Sequence, residues 1–273
     1  VYVSFGSSGI YAYTHNGEPV WQRDLGDMNV FNGFGEGSSP VVHDGLLLIN
    51  WDHDGDSFLV ALDAATGEER WRTPRDRITS WTTPVVLEVD GRPQVVVCST
   101  RTVAYDLRTG AELWSIGESN AGRSGPIASP VVHAGRVLLS TGGRNGALQS
   151  LSPAAGPAAS AEGGSEASAP APEIVWSREG DTPHIPSLLA YGGRVYALKS
   201  NSGILSAYDA ATGELQVGPK RLQAVANVYA SPVAADGRLY IADREGTVEV
   251  VEAGGECKTL AVNVLEDSID ASP

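Results

Sequence analysis

The chain has 273 residues, 42% of them hydrophobic, and a formal net charge of −14. That length suits one large all-β domain or two of average size. The charge argues against a nucleic-acid partner, which needs a basic stripe that the sequence does not show, and mainly favours solubility. No apolar run approaches the roughly 18 residues of a membrane-crossing helix.

In chain order, Val1 to Phe5 and Ile10 to Trp21 read as three strands, the last two joined at Asn16-Gly17. Because Val1 opens directly on strand-like sequence, the chain is expected to be cut from a longer precursor. The next unit is complete: a strand from Ser39, a turn at Asp44-Gly45, then strands Leu46 to Trp51, Phe58 to Asp63 and Glu68 to Thr73. Asp52 to Ser57 and Thr66-Gly67 supply its remaining loop and turn. Short strands joined by turns of two to five residues make a β-meander.

Two landmarks repeat. Ala61-Leu-Asp63-Ala-Ala-Thr66-Gly67-Glu-Glu-Arg-Trp71 recurs as Ala104-Tyr-Asp106-Leu-Arg-Thr109-Gly110-Ala-Glu-Leu-Trp114 and, nearly, from Ala207 to Val217. An Asp ending an apolar run can accept hydrogen bonds from N–H groups two or three residues on. The following Gly supplies the positive φ of a hairpin turn, and the Trp needs a neighbouring unit to cover its ring. The second landmark is a Ser/Thr-Pro pair, or Ser187-Leu188, whose second residue falls at 40, 84, 130, 188, 232 and 273. Its spacings of 44, 46, 58, 44 and 41 residues match four-stranded propeller blades.

The expected fold class is therefore an all-β propeller of four-stranded antiparallel blades, with about six repeats. Blades are expected at approximately 1–35 (partial), 36–79, 80–125, 126–182, 183–227, 228–268 and 269–273 (partial). The long interval is explained by 153–172, a Pro, Ala, Gly, Ser and Glu stretch read as a disordered insertion. An exposed edge is expected, or a ring completed by other sequence. Cys98 and Cys257 are expected to be unpaired thiols, with Cys98 buried.

The Ala-x-Asp-x-x-Thr-Gly-x-x-x-Trp spelling resembles the tryptophan-docking motif of the PQQ-like β-propeller repeat family, across the whole chain. That family includes BamB and the quinoprotein alcohol dehydrogenases. Gly33-Phe-Gly-Glu-Gly-Ser-Ser-Pro40, Trp51-Asp-His-Asp-Gly-Asp-Ser-Phe58 and Val228-Tyr-Ala-Ser-Pro232 look like its secreted PQQ-binding-like propeller repeat proteins. The resemblance implies an eight-bladed parent, a secreted or periplasmic (cell-envelope) location, and Trp21, Trp71, Trp114 and Trp176 as blade-to-blade docking residues. Val217 replaces Trp in the fifth blade and the sixth has none, so docking there is expected to be weaker.

The dehydrogenases of the family hold their quinone between a Trp and a disulfide of adjacent cysteines, and chelate calcium beside it. Cys98 and Cys257 are not adjacent, so no cofactor is expected, with PQQ and calcium as the alternative. Asp52-His53-Asp54-Gly55-Asp56 starts like a calcium loop, but its Gly and Glu positions fail; a solvated turn is expected and no metal. No nucleophile elbow is present and no catalytic residue is assigned.

Binding remains. In a propeller the loops on one face surround an axial funnel and carry function. They would contribute Glu36, Arg77, Trp81, Arg123, His184, Tyr229 and Asp270 from one loop set. The other set holds Trp51, Asp52, His53, Arg101, Arg144, Asn145, Lys199, Asn201 and Arg244. Such a rim suits a protein segment, a glycan or a small anion, or is merely solvated. The expected function is a non-catalytic binding or scaffolding module. The alternatives are a quinoprotein dehydrogenase-like oxidoreductase and structural support for a neighbouring domain.

Overall fold

The structure is a computed structural model that describes residues 1–76, 78–117, 125–141, 146–156, 171–180 and 182–272. It comprises two compact units, one of Val1–Pro126 with Pro153–Glu173 and one of Ile127–Ser152 with Ile174–Pro273. Each unit carries three sheets whose strands follow one another in sequence order.

In the first unit, β1 (Tyr2–Ser4), β2 (Ile10–Tyr13) and β3 (Pro19–Arg23) form a three-stranded sheet. The second sheet holds β4 (Val41–His43), β5 (Leu46–Trp51), β6 (Phe58–Asp63) and β7 (Glu69–Pro74). The third holds β8 (Val85–Val89), β9 (Arg92–Val97), β10 (Arg101–Asp106) and β11 (Glu112–Gly117). The second unit repeats the plan with β12 (Val131–His133), β13 (Arg136–Ser140), β14 (Ala147–Ser152) and β15 (Glu173–Glu179). Its middle sheet is β16 (Leu189–Tyr191), β17 (Arg194–Leu198), β18 (Ile204–Asp209) and β19 (Leu215–Arg221). The last is β20 (Val233–Ala235), β21 (Arg238–Ala242), β22 (Thr247–Glu252) and β23 (Thr259–Val264).

The strands of the second sheet lie within two residues of their expected bounds, and the first sheet has the three strands expected. Two 3₁₀ turns, Gly6–Ser8 and Phe31–Gly33, had no signal in the repeat. Residues 157–170 of the expected disordered insertion lie outside the described residues.

One transverse row recurs across the sheets. Val41 faces Leu48, Leu48 faces Ala61, and Ala61 faces Trp71. The same row reads Val85, Val96, Ala104, Trp114 in the third sheet and Leu189, Tyr196, Ala207, Val217 in the fifth. A bulge follows Ala61, Ala104 and Ala207 immediately, where the strand bends toward the Thr-Gly turn. Because β5 and β6 have a sheet on either side, their two residue sets enter different cores. Leu47, Ile49, Val60 and Leu62 pack with Ile10, whereas Leu48, Leu59 and Ala61 pack with Val95 and Val103. Burial on both faces is why Leu46 to Ile49 is continuously apolar rather than alternating.

The turns form as their residues dictate. Asp63 Oδ1 accepts from Ala65 N at 3.0 Å, Thr66 N at 2.9 Å and Thr66 Oγ1 at 3.2 Å. Asp106 and Asp209 bind their turns the same way. The Arg70 guanidinium, then the Thr66 N–H, draw the Asp63 carboxyl down from its usual 3.8 to about 2. Gly110 has φ +71°, and a Cβ there would lie 2.5 Å from Trp71 Cε3. The turn thus needs glycine twice, for its backbone angle and for the ring of the preceding sheet.

Each such ring also makes a polar contact. Trp21 Nε1 donates to Ala64 O at 3.0 Å, Trp71 Nε1 to Leu107 O at 2.9 Å, and Trp176 Nε1 to Ala210 O at 3.1 Å. Two residues on, a second donor reaches the turn glycine: Arg23 to Gly67 O, Thr73 to Gly110 O and Arg178 to Gly213 O, at 2.5 to 2.7 Å. Trp114 differs. It is fully buried and donates to Gln94 Oε1 within its own sheet, and Gln94 in turn donates to Ala154 O.

The Ser/Thr-Pro landmark has a physical basis of its own. Ser39 N donates to Thr83 Oγ1 at 3.1 Å. In the second unit Ser129 N donates to Ser187 Oγ at 3.0 Å, Ser187 N to Ser231 Oγ at 3.0 Å, and Ser231 N to Ser272 Oγ at 2.8 Å. The hydroxyls of Thr83, Ser187, Ser231 and Ser272 thus receive the N–H of the pair one sheet earlier, while Pro40, Pro84, Pro130 and Pro232 stand just before a strand, where a missing N–H costs nothing.

Candidate functional site

In the first unit, loops from all three sheets surround a cleft of about 360 Å³. The residues that line it include Phe5, Glu36, Asn50, Trp51, Asp52 and Trp81. Four of the residues expected at a funnel rim, Glu36, Trp51, Asp52 and Trp81, therefore converge here. Their freedom differs.

Trp51 is 2% exposed and stacks on Phe58, with ring centroids 5.9 Å apart. Asp52 is buried against Arg75, whose Nε lies 2.7 Å from Oδ1 and whose second nitrogen lies 3.1 Å from Oδ2. Arg75 also donates to the Tyr105 hydroxyl at 2.6 Å. Burial opposes the guanidinium charge, but Asp52 and Tyr105 outweigh it and hold Arg75 protonated more firmly than usual. Burial also raises the pKa of Tyr105, against the pull of Arg75.

His53 Nδ1 accepts from Asn29 N at 3.0 Å and Gly55 N at 3.2 Å. Asp54 accepts from Thr79 Oγ1 at 2.7 Å, and that same hydroxyl receives Phe31 N at 2.9 Å. The loop expected to be a solvated turn is covered in part: Asp52, His53 and Ser57 are buried, with Asn29 and Phe31 bonded over this side, whereas Asp54 and Asp56 stay exposed. The segment that carries Asn29 and Phe31, residues 24–35, belongs to no repeat, so nothing in the repeat spelling announced it. Among the described residues, no group of three or more His, Cys, Asp or Glu side chains is placed to hold a metal.

Glu36 is drawn to the Ser7 backbone and hydroxyl, and a Cβ on Gly6 would collide with its carboxylate. Trp81, half-buried, donates to Gly35 O at 2.8 Å and lies against Gly37. Asn50 was not among the expected residues. It is 1% exposed, donates to Thr82 O at 3.3 Å, and among the described residues its Oδ1 has no hydrogen-bond partner.

Arg101 lies outside the cleft lining and pairs with Glu112 and Asp76. In the second unit, Tyr229, Arg244 and Asp270 come together. The Arg244 guanidinium lies 4.4 Å from the Tyr229 ring centroid and binds Asp270 at 2.5 and 3.1 Å. Arg244 in turn holds the Asp270 carboxyl below its usual range. Asn201 accepts from Ile185 N at 3.1 Å, while His184 and Lys199 are exposed. Arg77, Arg123, Arg144 and Asn145 lie outside the described residues.

Residues 6–254 match the family described as the outer membrane protein assembly factor BamB. The chain belongs to that family. No curated protein matches it in sequence. Among solved structures, BamB from Moraxella catarrhalis is similar at TM-score 0.57 and 16% identity, over 99% of this chain and 86% of that one. Quinohemoprotein alcohol dehydrogenase from Comamonas testosteroni gives TM-score 0.57 at 15% identity, over 84% of this chain but only 43% of that one. Sqt1 from Saccharomyces cerevisiae gives 0.70 at 12%, covering 98% and 71%. At such identities the likeness is one of fold: the sheets are blades of a β-propeller.

The residues present do not fit a quinone held against a disulfide of adjacent cysteines. Cys98 and Cys257 are free, buried, and in different units. Burial pushes the Cys98 thiol up to about 12, which leaves it unreactive. Of the two carboxylates that line the cleft, Asp52 is taken by Arg75 and Glu36 by Ser7. No helix among the described residues is long and apolar enough to cross a membrane.

Proposed function

We propose that this chain is a non-catalytic binding or scaffolding module of the cell envelope or secreted space, and that the cleft of the first unit is where it holds a protein segment. The observation that carries this reading is how the cleft's charged groups are used. Asp52 is committed to Arg75 and Glu36 to Ser7, so neither carboxylate is poised as an acid or base toward a reacting centre. What the cleft presents instead is Trp81, Phe5 and main-chain edges, a surface suited to packing and backbone hydrogen bonding. Membership in the family of an outer membrane protein assembly factor supports an envelope location and a partner that is itself a protein.

The test is site-specific photocrosslinking in cells, with the reactive group placed at Trp81 or, as a control, at the exposed Asp44 turn. A discrete adduct from position 81 alone is the expected result. Equal labelling from both positions, or PQQ- and calcium-dependent dye reduction by the purified chain, would overturn the reading.

A further inference from the structure

Three residues that line the cleft of the first unit share an electrostatic preference. Asn50 stands on β5, where its Nδ2 donates to Thr82 O at 3.3 Å. That carbonyl also accepts Ser38 Oγ at 3.1 Å, so turning the amide over would set oxygen against oxygen. The orientation of Asn50 is therefore fixed, and its Oδ1, shielded from water, is an acceptor with no donor among the described residues. A buried acceptor left unmet costs free energy that an incoming N–H would recover.

Glu36 supplies charge. Its two hydrogen bonds, from Ser7 N and Ser7 Oγ, come from neutral groups. They hold the carboxylate over Gly6 without neutralising it. Asp52 differs, since Arg75 cancels its charge at 2.7 Å. Among the described residues no Lys, Arg or His lines the cleft, so one negative charge stands there uncompensated. The chain as a whole carries −14, which repels anions and draws cations in. Trp81 adds an aromatic surface. Its Nε1 donates to Gly35 O at 2.8 Å and its ring rests on Gly37, so the two sequence neighbours of Glu36 hold the indole in place at the cleft wall. An indole so fixed attracts a cation to its face.

These preferences meet in one chemical group. A carboxylate or phosphate is repelled, and a neutral amide can satisfy Asn50 but not Glu36. A guanidinium carries the charge, several N–H donors in one plane and a flat face for stacking. We propose that the cleft receives an arginine side chain of its partner, an inference that rests on the cleft's proposed role in holding a protein segment. The guanidinium donates to Asn50 Oδ1, lies against Trp81 and is matched in charge by Glu36.

The test titrates the 273-residue chain with the peptide acetyl-Gly-Leu-Arg-Leu-Gly-amide and with its citrulline counterpart, which keeps the shape and loses the charge. NMR follows the Trp81 indole N–H and the Asn50 side-chain amide. The expected result is saturable shifts of both signals, with the citrulline peptide at least about fivefold weaker. Glu36→Gln should weaken the arginine peptide about threefold and leave the citrulline peptide unchanged, while Asn50→Ala should weaken both at least about fivefold. Glu36 is exposed, so its variant keeps the fold and the comparison stands even if Asn50→Ala does not fold. Equal binding of the two peptides would overturn the arginine assignment and leave the cleft a site for a protein segment. Shifts confined to other residues, or no binding at millimolar peptide, would also overturn it, whereas failure of the underlying reading would show as no adduct from position 81 in cells.

Discussion

Two joints between neighbouring sheets, one in each unit, solve the same problem with different chemistry. In the first unit, Trp71 lies over Gly110, and Trp71 Nε1 and Thr73 Oγ1 donate to the carbonyls of Leu107 and Gly110. In the second unit, Val217 takes the Trp position and Lys220 donates to Glu256 O at 2.8 Å and Cys257 O at 2.9 Å. Glu249, fully buried, then gathers Gln223 N, Ala224 N, Val225 N and Thr259 Oγ1. The first joint is chiefly apolar burial, and the second leans on charge-assisted hydrogen bonds. Where the motif lacks its Trp, polar contacts that it does not spell join the same two sheets.

The comparison breaks most readily at the ring. Trp71→Ala should cost about 3–5 kcal/mol of unfolding free energy, whereas Val217→Ala, which removes two half-buried carbons, should cost roughly 1 kcal/mol. Denaturant melts of both variants check this, and similar losses would contradict it. Next in size is Glu249→Gln, expected to cost about 2 kcal/mol by weakening hydrogen bonds to an ionised group.

The pH dependence sharpens the contrast. Burial alone would raise the Glu249 carboxyl, but the Thr259 hydroxyl and the N–H groups of Ala224, Gln223 and Val225 outweigh it and hold the group below its usual 4.5. The stabilisation is therefore complete above the usual carboxylate range and is lost as pH falls through the lowered value. Glu249→Gln should flatten the acid limb of the stability curve, and an unchanged limb would contradict the assignment. The smallest effect belongs to Asp63. With its carboxyl lowered to about 2, the turn keeps its stabilisation above about pH 4 and loses it as pH approaches 2. A carboxyl NMR titration should find a midpoint near 2, and one near 3.8 would remove the hydrogen-bond account.

Much of the fold was legible because the repeat states it more than once. Asp63-x-x-Thr66-Gly67 and its copies specify turn, bulge and ring seat together, so one reading served several sheets. The clamp two residues beyond the Trp escaped notice because Arg23, Thr73 and Arg178 share a function and not a residue type. The candidate site was less legible. Loop position alone pointed to Glu36, Trp51, Asp52 and Trp81, which line one cleft, but the state of Asp52 depends on Arg75, which lies 23 residues on in sequence. His53 looked solvated because the segment that covers it, 24–35, follows no repeated pattern. Asn50 was hidden inside an apolar strand, where a single amide carries no signal.

The central claim is that the repeated glycine exists for the neighbouring sheet's ring as well as for its own turn. A double-mutant cycle of Gly110→Ala and Trp71→Val tests it most directly. The predicted result is that Gly110→Ala costs at least about 1 kcal/mol less when Trp71 is already valine, since the clash with the ring is gone and only the strain of a positive φ and the close Thr73 hydroxyl remain. Equal costs in the two backgrounds would show that the glycine serves its turn alone.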